Sequence, residues 1–65
     1  MKFLEVEVPN ADEYQIDNFL GNIIQYKINE EWHYFTQVEL PVNNLVISEV
    51  KKSEDKTWLK IQVFQ

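Results

Sequence analysis

The amino-acid sequence predicts an α+β fold. The expected form is a small, mainly antiparallel sheet of five strands, open or closed into an SH3-like or OB-like barrel, with one short helix between strands 1 and 2. Three observations predict it. Apolar and polar residues alternate with a period of two in several short stretches. A helix-start signature, Asn10 followed three residues later by Glu13, comes directly after the first stretch. The stretches around Asn29-Glu30-Glu31 are separated by too few residues for anything but an antiparallel hairpin.

The first strand is expected over Lys2–Val8, where Leu4, Val6 and Val8 alternate with Phe3, Glu5 and Glu7, and Pro9 ends it. The helix is expected from Ala11 to Leu20. Asn10 suits the N-cap, Asp12 and Glu13 suit the positive helix end, and Ile16, Phe19 and Leu20 would stack near Tyr14. Gly21, the only glycine, stands where a helix commonly ends in positive φ. The second strand covers Asn22–Ile28, with Ile24, Tyr26 and Ile28 on one face, and Asn29-Glu30-Glu31 forms the connection. The third, Trp32–Leu40, sets Trp32, Tyr34, Thr36, Val38 and Leu40 on one face and His33, Phe35, Gln37 and Glu39 on the other, polar face. Pro41-Val42-Asn43-Asn44 is a turn. The fourth strand spans Leu45–Val50, the polar run Lys51–Lys56 is a hairpin loop, and the fifth strand, Thr57–Phe64, points Leu59, Ile61 and Val63 inward. No linker, repeat or low-complexity stretch interrupts the pattern, so residues 1–65 are expected to make a single domain.

A chain of 65 residues buries only ~60% of the surface its unfolded form exposes, so its stability margin is thin. Cys is absent, which removes disulfides and thiolate metal sites. The core must be built from large side chains. Two Trp, four Phe and three Tyr supply them, each able to bury roughly 150–250 Å². The formal net charge of −5 comes from eleven Asp and Glu against six Lys and no Arg. Direct binding to nucleic acid or to an anionic membrane would need a cationic cluster that this composition lacks. Acidity favours a basic partner instead. Glu5 and Glu7 follow the first residues too closely for a secretory segment. With no cysteine either, a cytoplasmic location is the expectation.

The sequence offers little to catalysis. His33 is the only histidine and lacks the further ligands a metal centre requires. Ser48 and Ser53 sit on no glycine-framed elbow, and one glycine cannot build a phosphate-cradling loop. Glu5 and Glu7 would point the same way from a strand, ~6.5–7 Å apart. That is near a glycosidase spacing, but such pairs work in deep clefts that a chain this small rarely affords. No catalytic residue, cofactor or metal is expected.

The strand faces assigned to solvent carry aromatics among their carboxylates: Phe3 beside Glu5 and Glu7, Phe35 beside His33, and Trp58 and Phe64 around Lys60 and Gln62. Barrel closure would bury them. Left exposed, they make an apolar patch with a charged rim, the mark of a protein-binding or self-associating surface. The expected function is therefore a small acidic, non-enzymatic protein-binding module. Its partner-binding residues are Phe3, Glu5, Glu7, His33, Phe35, Glu39 and Trp58. Its partner is a protein, basic or nucleic-acid-binding in one version and a second copy in another. In size and charge the chain also resembles phage-encoded inhibitors of host defence, of the anti-CRISPR and anti-restriction kind, a resemblance of composition alone. It implies that rows of carboxylates (Glu5, Glu7, Glu39 and Glu49, or Asp12, Glu13 and Asp17) imitate phosphates in the channel of a nucleic-acid enzyme. A third reading makes the chain an enzyme subunit whose site a partner completes.

Overall fold

The computed structural model describes residues 2–19 and 21–64. Among these there are six strands and no helix: β1 Lys2–Val8, β2 Glu13–Asp17, β3 Ile23–Ile28, β4 Glu31–Phe35, β5 Asn44–Lys52 and β6 Thr57–Phe64. The strands form two antiparallel, three-stranded sheets, ordered β1-β6-β5 and β2-β3-β4. The chain divides into two compact units, residues 1–10 with 43–65 and residues 11–42, and each unit holds one sheet. The fold is thus all-β, and the expected α+β arrangement of five strands and a helix is corrected.

The helix fails for an identifiable reason. Over Glu13–Asp17 the residues Tyr14 and Ile16 alternate with Glu13, Gln15 and Asp17, which is strand periodicity. Asn10, the supposed N-cap, is committed elsewhere. Its amide donates to the carbonyls of Ser53 (3.0 Å) and Glu54 (3.2 Å), and its side-chain oxygen accepts from the buried Thr57 hydroxyl. The backbone N–H of Asp12 donates to the Lys27 carbonyl at 2.8 Å, which starts a ladder to β3 instead of a helical turn. Leu20, the expected last helical residue, lies outside the described residues. Gly21 does take a positive φ of 91°, but as the bend into β3 rather than as a helix cap.

In the first unit β6 is the central strand, and its alternation is complete. Thr57, Leu59, Ile61 and Val63 are buried, while Trp58 and Phe64 are exposed. Across the ladders Leu4–Ile61–Ile47 and Val6–Leu59–Val50 share one side of the sheet, which is buried at Val6, Leu59 and Ile61 and opens at its edge, where Val50 is exposed. β5 would lose this phase after Ile47, since Ser48 and Glu49 follow before Val50. A β-bulge absorbs the extra residue. Ile47 pairs with Ile61 and Glu49 with Lys60, and the Ser48 hydroxyl donates to the Lys60 carbonyl at 3.2 Å. The loop from β5 to β6 is closed by the N–H and the hydroxyl of Ser53, both donating to the Lys56 carbonyl at 2.9 Å.

In the second unit β3 is central. Its connection to β4 is the two-residue loop Asn29-Glu30, since Ile28 pairs with Glu31. Both loop residues have positive φ, 52° and 68°, as a type I′ hairpin turn demands. Asn tolerates this conformation and Glu does not, while the exposed ion pair from Glu30 to Lys27 at 3.5 Å returns little. Glu30→Gly is expected to stabilise the chain by ~1 kcal/mol, read as a raised midpoint in urea unfolding. A lowered midpoint would contradict a strained turn at this position. β4 ends at Phe35 rather than Leu40 because its partner β3 begins at Ile23, immediately after the bend at Gly21-Asn22.

Candidate functional site

The ladders decide which of the expected partner-binding residues meet. On the exposed side of the first sheet the cross-strand rows are Glu7–Trp58–Lys51, Glu5–Lys60–Glu49 and Phe3–Gln62–Val46, followed by the pair Phe64–Asn44. Phe3, Glu5, Glu7 and Trp58 are therefore brought together on one face, as side-chain alternation along β1 and β6 requires. Four large apolar side chains stay open there: Phe3 at 42%, Val46 at 49%, Trp58 at 38% and Phe64 at 41% exposure. Val46 and Phe64 complete a patch that the seven expected residues describe only in part. Phe64 shows in the alternation of β6, but Val46 is hidden in the run Leu45-Val46-Ile47, where nothing distinguishes the outward residue until the ladder to β6 is known.

Lysines thread between these rings. The Lys60 ammonium lies 4.7 Å from the centre of the Phe3 ring, and that of Lys56 lies 5.6 Å from the Trp58 ring. Lys56 also reaches Glu7 at 3.4 Å, and Lys51 reaches Glu49 at 3.8 Å. Each carboxylate of this face thus has a lysine as an ion-pair or cross-strand neighbour, and Glu5 and Glu7 do not form an uninterrupted anionic row. Glu5, Lys51, Trp58 and Lys60 line a shallow depression of ≈ 230 Å³. This lies below the ~300–1,000 Å³ typical of small-molecule sites.

His33, Phe35 and Glu39 belong to the second unit. His33 and Phe35 were expected on the polar face of their strand, and the structure corrects this. Tyr14–Tyr26–His33 and Ile16–Ile24–Phe35 are the rows of the more apolar face. Phe35 is half-buried opposite the fully buried Ile24. His33 is exposed and stacks on Tyr26 at 5.4 Å between ring centres. Glu39 follows β4 and borders an open depression with Gly21, Ile23, Val38 and Val42. Trp32 and Tyr34, expected inward, are 37% and 48% exposed on the opposite face of the sheet.

That opposite face has rows Glu13–Lys27–Trp32 and Gln15–Gln25–Tyr34, with Asp17 beside Ile23. Lys27 lies 3.3 Å from Glu13, and its ammonium is 5.8 Å from the centre of the Trp32 ring. The hydrogen bond to Glu13, with the charges of Glu13 and Glu30, holds Lys27 above the ordinary lysine pKa. The Tyr34 hydroxyl donates to Asp17 at 2.9 Å, and this bond, reinforced by the Asp17 charge, pushes the phenol above its usual range. The amide of Gln15 donates to that of Gln25 at 2.6 Å, which satisfies the buried Gln25.

Among the described residues no group of three His, Asp or Glu side chains is placed to hold a metal ion. No helix among them is long and apolar enough to cross a membrane. No family model matches this chain, and no curated protein or solved structure matches it.

Proposed function

We propose that this chain is a non-enzymatic protein-binding module whose contact surface is the exposed side of the β1-β6-β5 sheet. The observation that carries the reading is the cluster of Phe3, Val46, Trp58 and Phe64, four open apolar side chains on one small face. Contiguous exposed apolar surface with a polar rim is typical of interaction sites, and Trp is a preferred anchor in them. The rim of paired Glu and Lys residues would set orientation without dominating affinity. The face lacks a histidine, and its depression is small for a substrate, which supports binding over turnover. The chain needs no disulfide, which suits the cytoplasm. The occupant is a different protein with an apolar contact surface. A second copy would bring a further net charge of −5, carried by residues 11–42, and this opposes self-association at low salt.

Pull-down with the whole chain tests this, alongside Phe3→Ala and Trp58→Ala. Both residues are exposed, so circular dichroism should show both variants folded. The partner is expected to survive high salt, and each variant should weaken its affinity by about thirtyfold, the scale of an interface anchor. A partner that survives high salt and is retained by both variants overturns the proposal. So does a dimer by sedimentation that Trp58→Ala dissolves, which would give the face to self-association. Binding of labelled DNA or RNA at physiological salt would also overturn it.

A further inference from the structure

The net charge of this molecule is not spread over it. Residues 1–10 and 43–65 contain five carboxylates (Glu5, Glu7, Glu49, Glu54 and Asp55) and five lysines, so the first unit is formally neutral. Residues 11–42 contain six carboxylates (Asp12, Glu13, Asp17, Glu30, Glu31 and Glu39) against Lys27 alone, so the whole net charge of −5 resides in the second unit. The same unit exposes Trp32 and Tyr34, two residues apart on the edge strand β4 and on one face of its sheet. The opposite edge strand, β2, brings Glu13 and Asp17 to that face. Aromatic rings flanked by carboxylates attract cations twice over, through the ring quadrupole and through direct charge. The face already shows this chemistry internally, because the Lys27 ammonium sits between Glu13, Glu30 and the Trp32 ring.

We propose that the Trp32–Tyr34 face of the β2-β3-β4 sheet docks a basic polypeptide segment, bearing several Lys or Arg side chains, of a partner protein. Charge complementarity selects this occupant. A guanidinium can stack on the open surface of Tyr34 or Trp32 while it pairs with Asp17 or Glu13, and the remaining carboxylates of the unit steer its approach. The planar, weakly hydrated guanidinium fits this combination better than an ammonium, so arginine-rich segments should bind more tightly than lysine-rich ones of equal charge. This face belongs to a different unit from the Phe3–Trp58 surface, so each proposal stands or falls on its own residues.

Titration of the isotope-labelled chain with a short Arg-Gly repeat peptide, followed by NMR, tests the inference directly. Shifts are expected to centre on the Trp32 indole N–H and on the amides of residues 13–17 and 32–34, and binding should weaken steeply with salt. Removing both rings in Trp32→Ala/Tyr34→Ala leaves the charge unchanged and should weaken binding about tenfold or more, as loss of cation–π contacts predicts. Asp17→Asn should weaken it more than Glu31→Gln, which removes the same charge from the other side of the sheet. Shifts scattered over all the acidic residues, or unchanged affinity in the double variant, would overturn the proposal. Either result would mean that the peptide responds only to net charge. The shift map is read on the unaltered chain, so it stands even if a variant folds poorly.

Discussion

Ile61→Ala should unfold a large fraction of the molecule at 37 °C, and at lower temperature should destabilise it by ~2–5 kcal/mol. Ile61 is fully buried in the middle of the central strand β6, and its ladder neighbours Leu4 and Ile47 flank it on the buried side of the sheet. Removing three carbons there leaves a cavity that two antiparallel neighbours, fixed by backbone hydrogen bonds, cannot easily close. The effect is large because the reserve is small. At the usual ~0.05–0.15 kcal/mol per residue, a chain of this length holds only about 3–10 kcal/mol in total. Ile61→Val keeps the β-branch and most of the volume and should cost about 1 kcal/mol. Urea unfolding followed by circular dichroism separates the two. Equal midpoints for Ile61→Ala and Ile61→Val would mean that this position is not packed as described.

The parts of the fold that rest on unbroken alternation were legible from the sequence. Leu4, Val6 and Val8 in β1, and Leu59, Ile61 and Val63 in β6, fix both the extent of those strands and the side each residue faces. The misreading of residues 11–20 came from local signals that a distant contact overrides. Asn10 has a strong preference for helix caps, but the loop at Ser53–Thr57 claims both polar atoms of its side chain, and no local rule shows that. A period-two pattern of five residues then prevails over a helical pattern with no cap to start it.

The face assignment of β4 failed for a subtler reason. Placing three residues, Asn29 to Glu31, in the hairpin loop would pair Ile28 with Trp32 and Tyr26 with Tyr34, and so put Trp32 and Tyr34 on the side of Ile28, Tyr26 and Ile24. The true loop has two residues, so Ile28 pairs with Glu31, Tyr26 with His33 and Ile24 with Phe35. One residue of loop length moves every side chain of the strand to the other side. Phe35 thereby leaves the expected contact surface for the more apolar side of its sheet, and Trp32 and Tyr34 become exposed. The charge segregation was legible in composition all along. It acquires meaning only when residues 11–42 prove to be a unit of their own, because a net charge summed over the whole chain conceals a neutral half and an acidic half.

Asn10→Ala is expected to cost ~2–4 kcal/mol. The side chain is largely exposed, and a surface asparagine would ordinarily be worth a few tenths of a kcal/mol. In this chain its amide secures the carbonyls of Ser53 and Glu54 in the β5–β6 loop, and its oxygen is the acceptor for the Thr57 hydroxyl. Thr57 is fully buried at the first position of β6. Without Asn10 its hydroxyl is stranded away from water, at the ~1–3 kcal/mol typical of an unsatisfied buried donor, and two loop contacts go with it. The origin of the cost can be separated by a second substitution. Thr57→Val replaces the hydroxyl with a methyl of similar shape, so in the Asn10→Ala background it should recover about 1–2 kcal/mol, whereas in the native background it should destabilise. The interaction energy from this double-mutant cycle, measured by urea unfolding, is that recovery plus the cost of Thr57→Val in the native background, so it should be favourable by about 2–3 kcal/mol. Additive effects would show that Asn10 acts on the loop alone and that Thr57 finds another acceptor. The competition for Asn10 would then be too weak to explain why residues 11–20 form no helix.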